Sequence, residues 1–134
     1  MTNIIGIDYG VKRIGVAISD MGWMIATPLK IISGLDELDK IMKERTVSGF
    51  VIGLPRQMNG KEGSQAELTR KWAEKLAKKY ELPILFWDER LSSSAVSRVL
   101  VEQMDLSRTR QKALMDKTAA AFILQGALDY LNRI

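Results

Sequence analysis

NIIGIDYGVKRIGVAIS, residues 3–19, sets an acid at the end of an apolar run and then turns back on itself. Residues 3–9, NIIGIDY, have the continuous apolar character of a buried strand. The strand ends in a turn from Tyr9 to Lys12, where Gly10 supplies the break. Residues 13–19, RIGVAIS, alternate. Ile14, Val16 and Ile18 share one face, and Gly15, Ala17 and Ser19 share the other. The spacing predicts a hairpin, hence an antiparallel part of a sheet, with Asp8 at the mouth of its turn.

Outward from this hairpin, Asp20 to Gly22 make a second turn. Ile25 to Ile32 form a third strand, in which Pro28 predicts a sheet edge or a bulge. From Gly34 the period changes: Leu35, Leu38, Ile41 and Met42 recur at spacings of three and four, which predicts a helix. GFVIG, residues 49–53, predicts a fully buried strand, and LPRQMNGKEG, residues 54–63, a loop. Ser64 and Glu67 match a capping box, ahead of a helix with Leu68, Trp72, Leu76 and Tyr80 on one stripe. LPILFW, residues 82–87, is another buried strand that runs straight into Asp88-Glu89-Arg90. Ser92 to Ser94 cap a helix through about Gln103, and a last helix runs from near Ala113 to about Leu131. Strands alternating with helices imply parallel pairing for the later strands. The expected fold is α/β: one domain over residues 1–134, with a mixed five-stranded sheet and helices on both faces.

Composition narrows the chemistry. The chain has 134 residues, 46% hydrophobic and 27% charged, enough for a core of its own. It has no Cys and no His, which removes disulfides, zinc–thiolate sites, His-ligated zinc, His general bases and the Ser-His-Asp triad. Hydrolysis here would run on carboxylates, Lys, Tyr, hydroxyls or a hard metal ion. Lys and Arg number 20 against 16 Asp and Glu, a formal charge of +4 that suits a polyanionic partner without requiring one. No apolar run approaches a membrane span, so no membrane partner is expected. MTNIIGIDYG lacks the basic start and long apolar stretch of a signal peptide, and the cytoplasm is the expected location.

Three acidic positions stand where a bland acid would not. Asp8 ends the first buried strand, and Asp88 and Glu89 end LPILFW. Ligand sites of open α/β sheets gather beyond the carboxyl ends of strands, so parallel neighbours ending in acids bring those acids together. Asp116 precedes Ala119, Ala120, Ile123, Leu124 and Ala127 by three, four, seven, eight and eleven residues, which puts it on the apolar stripe of its helix. A carboxylate on such a stripe needs a partner, and a place near the helix N-terminus eases its burial. Converging carboxylates repel unless a cation neutralises them, and Mg²⁺ or Mn²⁺ accepts oxygen ligands only. Such a site activates water and stabilises the leaving oxygen of a phosphodiester. The plainer roles are a turn cap for Asp8, salt bridges to Arg90 or Lys12 for Asp88 and Glu89, and a first-turn helix acid for Asp116. The residues alone leave Asp88 and Glu89 both open as ligands.

Cations complete the picture. Lys12 and Arg13 adjoin Asp8, and Arg56 and Lys61 lie in the loop after GFVIG, all placed to hold or steer phosphate. Arg90 follows the acid pair. Arg98, Arg108, Arg110, Lys112 and Lys117 cluster near the Asp116 helix as groove-lining candidates. Lys71, Lys75, Lys78 and Lys79 suit a solvated helix face, and Trp23, Trp72 and Trp87 suit the core.

Four blocks, GIDYGVKRIGVAISD, FVIGLPRQMNGKEG, WDERLSS and DKTAAAFILQ, resemble the signature blocks of the YqgF (RuvX) family in order and spacing. These are bacterial RNase H-like proteins described as pre-16S rRNA nucleases and earlier as Holliday-junction resolvases. The resemblance implies an RNase H-like fold and a nuclease site of Asp8, Asp116 and the DER acid, with Glu89 favoured over Asp88 as the metal ligand. It also implies a role in maturing the 5′ end of 16S rRNA in ribosome biogenesis.

Four functions fit to different degrees: a metal-dependent endonuclease on precursor rRNA, a resolvase of branched DNA, a non-catalytic nucleic-acid-binding module, and an ATP-binding module. The last is disfavoured. DYG before a hairpin resembles the phosphate loop of actin-like ATPases, but those clamp nucleotide between two such domains, and this chain has no GxxxxGK[ST] loop.

Overall fold

The computed structural model describes residues 1–91 and 101–134. Five strands, β1 (Asn3–Asp8), β2 (Ile14–Ser19), β3 (Ala26–Ile32), β4 (Val47–Leu54) and β5 (Ile84–Asp88), form one sheet in the order β3-β2-β1-β4-β5. β1, β2 and β3 pair antiparallel, and β1, β4 and β5 pair parallel. The sheet is thus mixed, as the hairpin and the later strand–helix alternation imply. Three described helices, α1 (Leu35–Lys43), α2 (Ser64–Tyr80) and α3 (Arg108–Leu131), cover its two faces.

The period-two pattern of the strands splits the core in two. Ile5, Ile7, Val16, Phe50 and Ile52 pack with Leu38 and Ile41 of α1 and with Trp72, Ala73 and Leu76 of α2. Ile4, Ala17 and Val51 pack on the other face with Ala120, Ile123, Leu124, Ala127 and Leu128 of α3. The α3 face has small residues on both sides. A Cβ added to Gly6 would stand 2.7 Å from Leu124 Cβ, so the helix lies almost against the β1 backbone. This close approach decides how far the N-terminal half of α3 comes down over the sheet.

The third strand carries the irregularity that Pro28 predicts. β3 is a sheet edge, and its register slips where Val16 faces Lys30 but Ala17 faces Pro28. Other expectations need correction. No capping box forms at α2: the N-cap is Gly63, no side chain caps it, and Glu67 pairs with Lys71 four residues on. Of the expected α2 stripe, Trp72 and Leu76 are buried and Tyr80 packs against that core, but Leu68 faces water, and Ala66, Thr69 and Ala73 complete the buried face. β5 is the other sheet edge and only half-buried, with Leu85 exposed. Trp72 is core, but Trp23 is partly exposed in the β2–β3 turn, where its indole donates to the Thr2 carbonyl. α3 starts at Arg108, five residues before the expected Ala113, with Ser107 accepting from the Arg110 N–H. The helix expected after Ser92 to Ser94 lies largely outside the described residues, as does Arg98. No described helix is long and apolar enough to cross a membrane.

Candidate active site

β1, β4 and β5 run parallel, so their carboxyl ends share one edge of the sheet, where Asp8, Leu54 and Asp88 are the terminal residues. Strand alternation then sorts the acids by face. Gly6 contacts α3, so Asp8, two residues on, also projects to the α3 side. The following Tyr9 goes the other way and stacks on Trp72 with ring centroids 5.2 Å apart, which pins the end of β1.

Gly15, the register partner of Asp8 on β2, is where two acidic residues meet. A Cβ at Gly15 would lie 3.6 Å from Asp8 Cβ and 3.1 Å from the Asp116 carbonyl. Asp8 at the end of a strand and Asp116 in α3, 108 positions later, therefore border the same bare spot of backbone. The reason is local: Gly15 and Ala120 are small enough for the helix to settle onto the hairpin. Asp116 is partly exposed, and its Oδ2 accepts from Arg13 Nη1 at 3.0 Å. It stands more than two turns into α3, so the helix N-terminus that was expected to ease its charge is too far away.

Glu89 opens a 3₁₀ turn, Glu89–Leu91, directly after β5. That turn swings its carboxylate across Gly53 of β4: a Cβ there would stand 2.8 Å from Glu89 Oε1 and 2.6 Å from Ile123 Cδ1. Ile123 belongs to α3, so Glu89 lies on the same side of the sheet as Asp8 and Asp116. Gly53 also follows Ile52, the partner of Ile7, one step past the last β1–β4 pair.

Asp88 lies on the opposite side. Phe86, two residues earlier, packs with the α1/α2 core, and Asp88 shares that face. Arg90 takes its carboxylate through Nη2 at 2.7 Å and Nε at 3.1 Å, its backbone N–H adds a bond at 3.0 Å, and Arg56 Nε stands 3.9 Å away. The Arg90 hydrogen bonds outweigh partial burial and hold the Asp88 carboxyl below its ordinary range. The salt bridge to Arg90, one of the plainer roles open to this acid, is thus realised at Asp88.

Lys12 and Arg13 are exposed on the β1–β2 turn, and Lys117 is exposed on α3. Arg56 and Arg90 stand together at the ends of β4 and β5. Beside Asp116, a cleft of about 340 Å³ is lined by Val101, Glu102, Arg108, Gln111, Lys112 and Met115. Among the described residues, no three Asp or Glu side chains stand close enough, as oriented, to hold one ion. What is brought together is backbone: three acid-bearing positions on one face, with Arg13 on the Asp116 carboxylate. Sequence reasoning missed Gly15 and Gly53 as the bare surfaces that receive these residues. Their signal was available: glycines in strands, in phase with Gly6 and Asp8 and out of phase with the isoleucines.

A mixed five-stranded sheet in this order, covered on both faces and with acids at the ends of β1 and β5, is an RNase H-like fold. The solved RuvC of T. thermophilus in complex with a Holliday junction substrate superposes with a TM-score of 0.56 at 13% identity, covering 99% of this chain and 97% of that one. The RuvX family model, described as Holliday junction resolvase, matches residues 2–130. Two relatives bear the name "Putative pre-16S rRNA nuclease". That of Phenylobacterium zucineum is 46% identical over 99% of this chain and 90% of its own length, and that of Rhodobacter capsulatus is 51% identical over 96% and 84%. The chain belongs to the RuvX family.

Proposed function

We propose that this chain is a cytoplasmic, divalent-metal-dependent endonuclease that acts on RNA at the 5′ end of pre-16S rRNA during ribosome biogenesis, with Asp8, Glu89 and Asp116 as its metal ligands. The observation that carries the site is the shared face: Asp8 and Asp116 border Gly15, and Glu89 lies over neighbouring Gly53. The names of the relatives carry the substrate.

The donor set fits Mg²⁺ or Mn²⁺, since all three residues offer oxygen only. The carboxylates must turn inward from their present orientations to meet one ion. Arg13, 60% exposed, stands on Asp116 as the present counter-charge, and such exposed pairs contribute about 0–1 kcal/mol, so its departure costs little. A bound ion supplies Lewis-acid activation of water and charge stabilisation at the scissile phosphate. The chain does the rest. Asp8 is fixed by its strand and by the Tyr9–Trp72 stack, and Asp116 by the seat of α3 on glycines. Arg13, once off Asp116, faces the strand's phosphates with Lys12 and Lys117, while Arg56 and Arg90 hold the strand on the other side of Glu89. Such backbone contacts fix register without reading sequence.

A second reading, resolution of branched DNA, is favoured by the description of the family model. One experiment separates these. Purified wild type and Asp8→Asn are incubated with pre-16S rRNA and with a four-way DNA junction, with Mn²⁺ and with EDTA. Mn²⁺-dependent cleavage of the rRNA by wild type alone is expected. Cleavage confined to the junction transfers the activity to DNA, and binding without cleavage of either leaves a binding module. Wild-type cleavage by Asp8→Asn at an unchanged melting temperature removes Asp8 from the ligand set.

A further inference from the structure

Two guanidinium groups share one carboxylate at the carboxyl ends of β4 and β5. Asp88 takes Nε and Nη2 of Arg90 and has Arg56 Nε 3.9 Å from its Oδ2. The carboxylate is the inner partner, 15% exposed, while Arg90 and Arg56 are 39% and 35% exposed and lie outside it. The Arg90 bonds to Asp88 engage Nε and Nη2, which leaves the Nη1 amino group outside the pair. The guanidinium also rests against the loop after β4. Both Nη atoms lie within 3.7 Å of where a Gly60 Cβ would be, and Gly60 has φ +84, a backbone that favours glycine. The loop closes on itself there, with Gln57 N–H donating to Lys61 O and Gly60 N–H to Gln57 O.

Two arginines this close repel unless an anion lies between them. Glu62, which Arg56 also acts on, is taken up through both oxygens by Arg70, so among the described residues Asp88 is the carboxylate set between Arg56 and Arg90, and a surplus positive charge remains at the rim, one residue from Glu89. A phosphodiester, with two unesterified oxygens and one charge, matches that surplus and the planar donor fork. We propose that Asp88 is a positioning residue rather than a metal ligand: it holds Arg56 and Arg90 side by side as a receptor for one backbone phosphate of the strand entering the site. This inference rests on the nuclease reading above.

The sign of one measurement tests it. Removing a negative charge beside a polyanion should, by charge alone, tighten binding; loss of a positioned fork should weaken it. Binding of a fluorescein-labelled single-stranded RNA to the full chain is followed by anisotropy in EDTA, where no cleavage occurs, with melting recorded for every variant. Asp88→Asn is expected to weaken binding about tenfold, the scale of one charge-assisted contact. Arg90→Lys, which keeps the charge and loses the fork, is expected to do the same. The double variant is expected to be no weaker than either single one, because the three side chains act as a unit. In Mn²⁺-dependent cleavage the effect is expected in KM, with kcat within about twofold of wild type, whereas loss of a metal ligand would lower kcat.

Unchanged or tighter RNA binding by folded Asp88→Asn overturns the proposal. Should that variant melt at the assay temperature, Arg90→Lys decides, and its unchanged affinity overturns the proposal equally. Wild-type protein that binds no RNA overturns both this inference and the reading beneath it. Normal RNA binding with full cleavage by Asp8→Asn overturns the ligand assignment and leaves the phosphate receptor standing.

Discussion

Glu89 lies across Gly53 so closely that a Cβ on the glycine would stand 2.8 Å from Oε1. Gly53→Ala must therefore displace the carboxylate, and Ile123 of α3 with it. Misplacing a catalytic group by about 1 Å costs on the order of a hundredfold in rate. Overpacking costs about 1–3 kcal/mol. Gly53→Ala is expected to bind RNA as wild type does and to lose cleavage at least a hundredfold while remaining folded at assay temperature. Near-normal kcat, with melting measured alongside, would remove Glu89 from the chemistry.

Gly6→Ala attacks the seat of α3 instead. The new Cβ would meet Leu124 Cβ at 2.7 Å and the Ala120 carbonyl at 3.1 Å, so the helix must rise or tilt. The expected loss is about 1–3 kcal/mol in denaturant unfolding, with cleavage reduced because Asp116 moves with its helix. Gly34→Ala is the control. Nothing stands within 4 Å of its Cβ position and its backbone is extended, so melting should move little.

Arg13 donates to Asp116 at 3.0 Å, so with Asp116 in the proposed ligand set it would compete with a cation for that carboxylate. Arg13→Gln is expected to raise Mn²⁺ affinity about two- to fivefold in a calorimetric titration without RNA, the scale of an exposed ion pair. The same variant is expected to bind RNA more weakly, having lost a phosphate contact. Unchanged Mn²⁺ affinity would show that the pair does not gate the ion.

The chain has no His and no Cys, so no side chain of ordinary pKa titrates between about pH 5 and 8. At the α1–α2 contact, Asp39 accepts from Lys79 at 2.8 Å and from the Tyr80 hydroxyl. The Lys79 bond, then the Tyr80 bond, lowers the Asp39 carboxyl below 3.8; burial, then Asp39, raises the Tyr80 hydroxyl above 10.0. A lowered acid contributes stability above its unfolded pKa and loses it as pH falls through the folded value. Tyr80, raised, contributes fully below its unfolded value and loses the contribution as pH rises. Melting temperature is expected to be flat from about pH 5 to 8, to fall in acid below about 4, and to fall in alkali above about 10. Tyr80→Phe is expected to flatten the alkaline arm, and Asp39→Asn to soften the acid one. An alkaline arm that survives in Tyr80→Phe would assign it to other groups.

The hairpin of residues 3–19, the edge position of β3 and the stripe of α1 were legible because each depends on near neighbours: alternation, a proline, a period of three to four. Where the reading slipped, a distant part of the chain had intervened. α2 turned Ala66, Thr69 and Ala73 inward beside Trp72 and Leu76 and left Leu68 in water, and β5, at an edge of the described sheet, is only half-buried. At the candidate site, strand ends and helix phase marked Asp8, Asp88, Glu89 and Asp116 as inward or terminal, without choosing between Asp88 and Glu89. They said nothing of Gly15 and Gly53 as receiving surfaces, or of Arg13 crossing to α3.

By itself, then, the sequence determined the order of the described elements, the mixed sheet and the lack of His and Cys donors, since periodicity and composition are properties of consecutive residues. Only the tertiary structure decided which acid faces which side. Asp88 and Glu89 are neighbours in the chain, yet one lies with Arg56 and Arg90 toward α2 and the other over Gly53 toward α3. Strand alternation and a single 3₁₀ turn separate them, and the close seat of α3 on glycine backbone brings Asp116 to the side of Glu89.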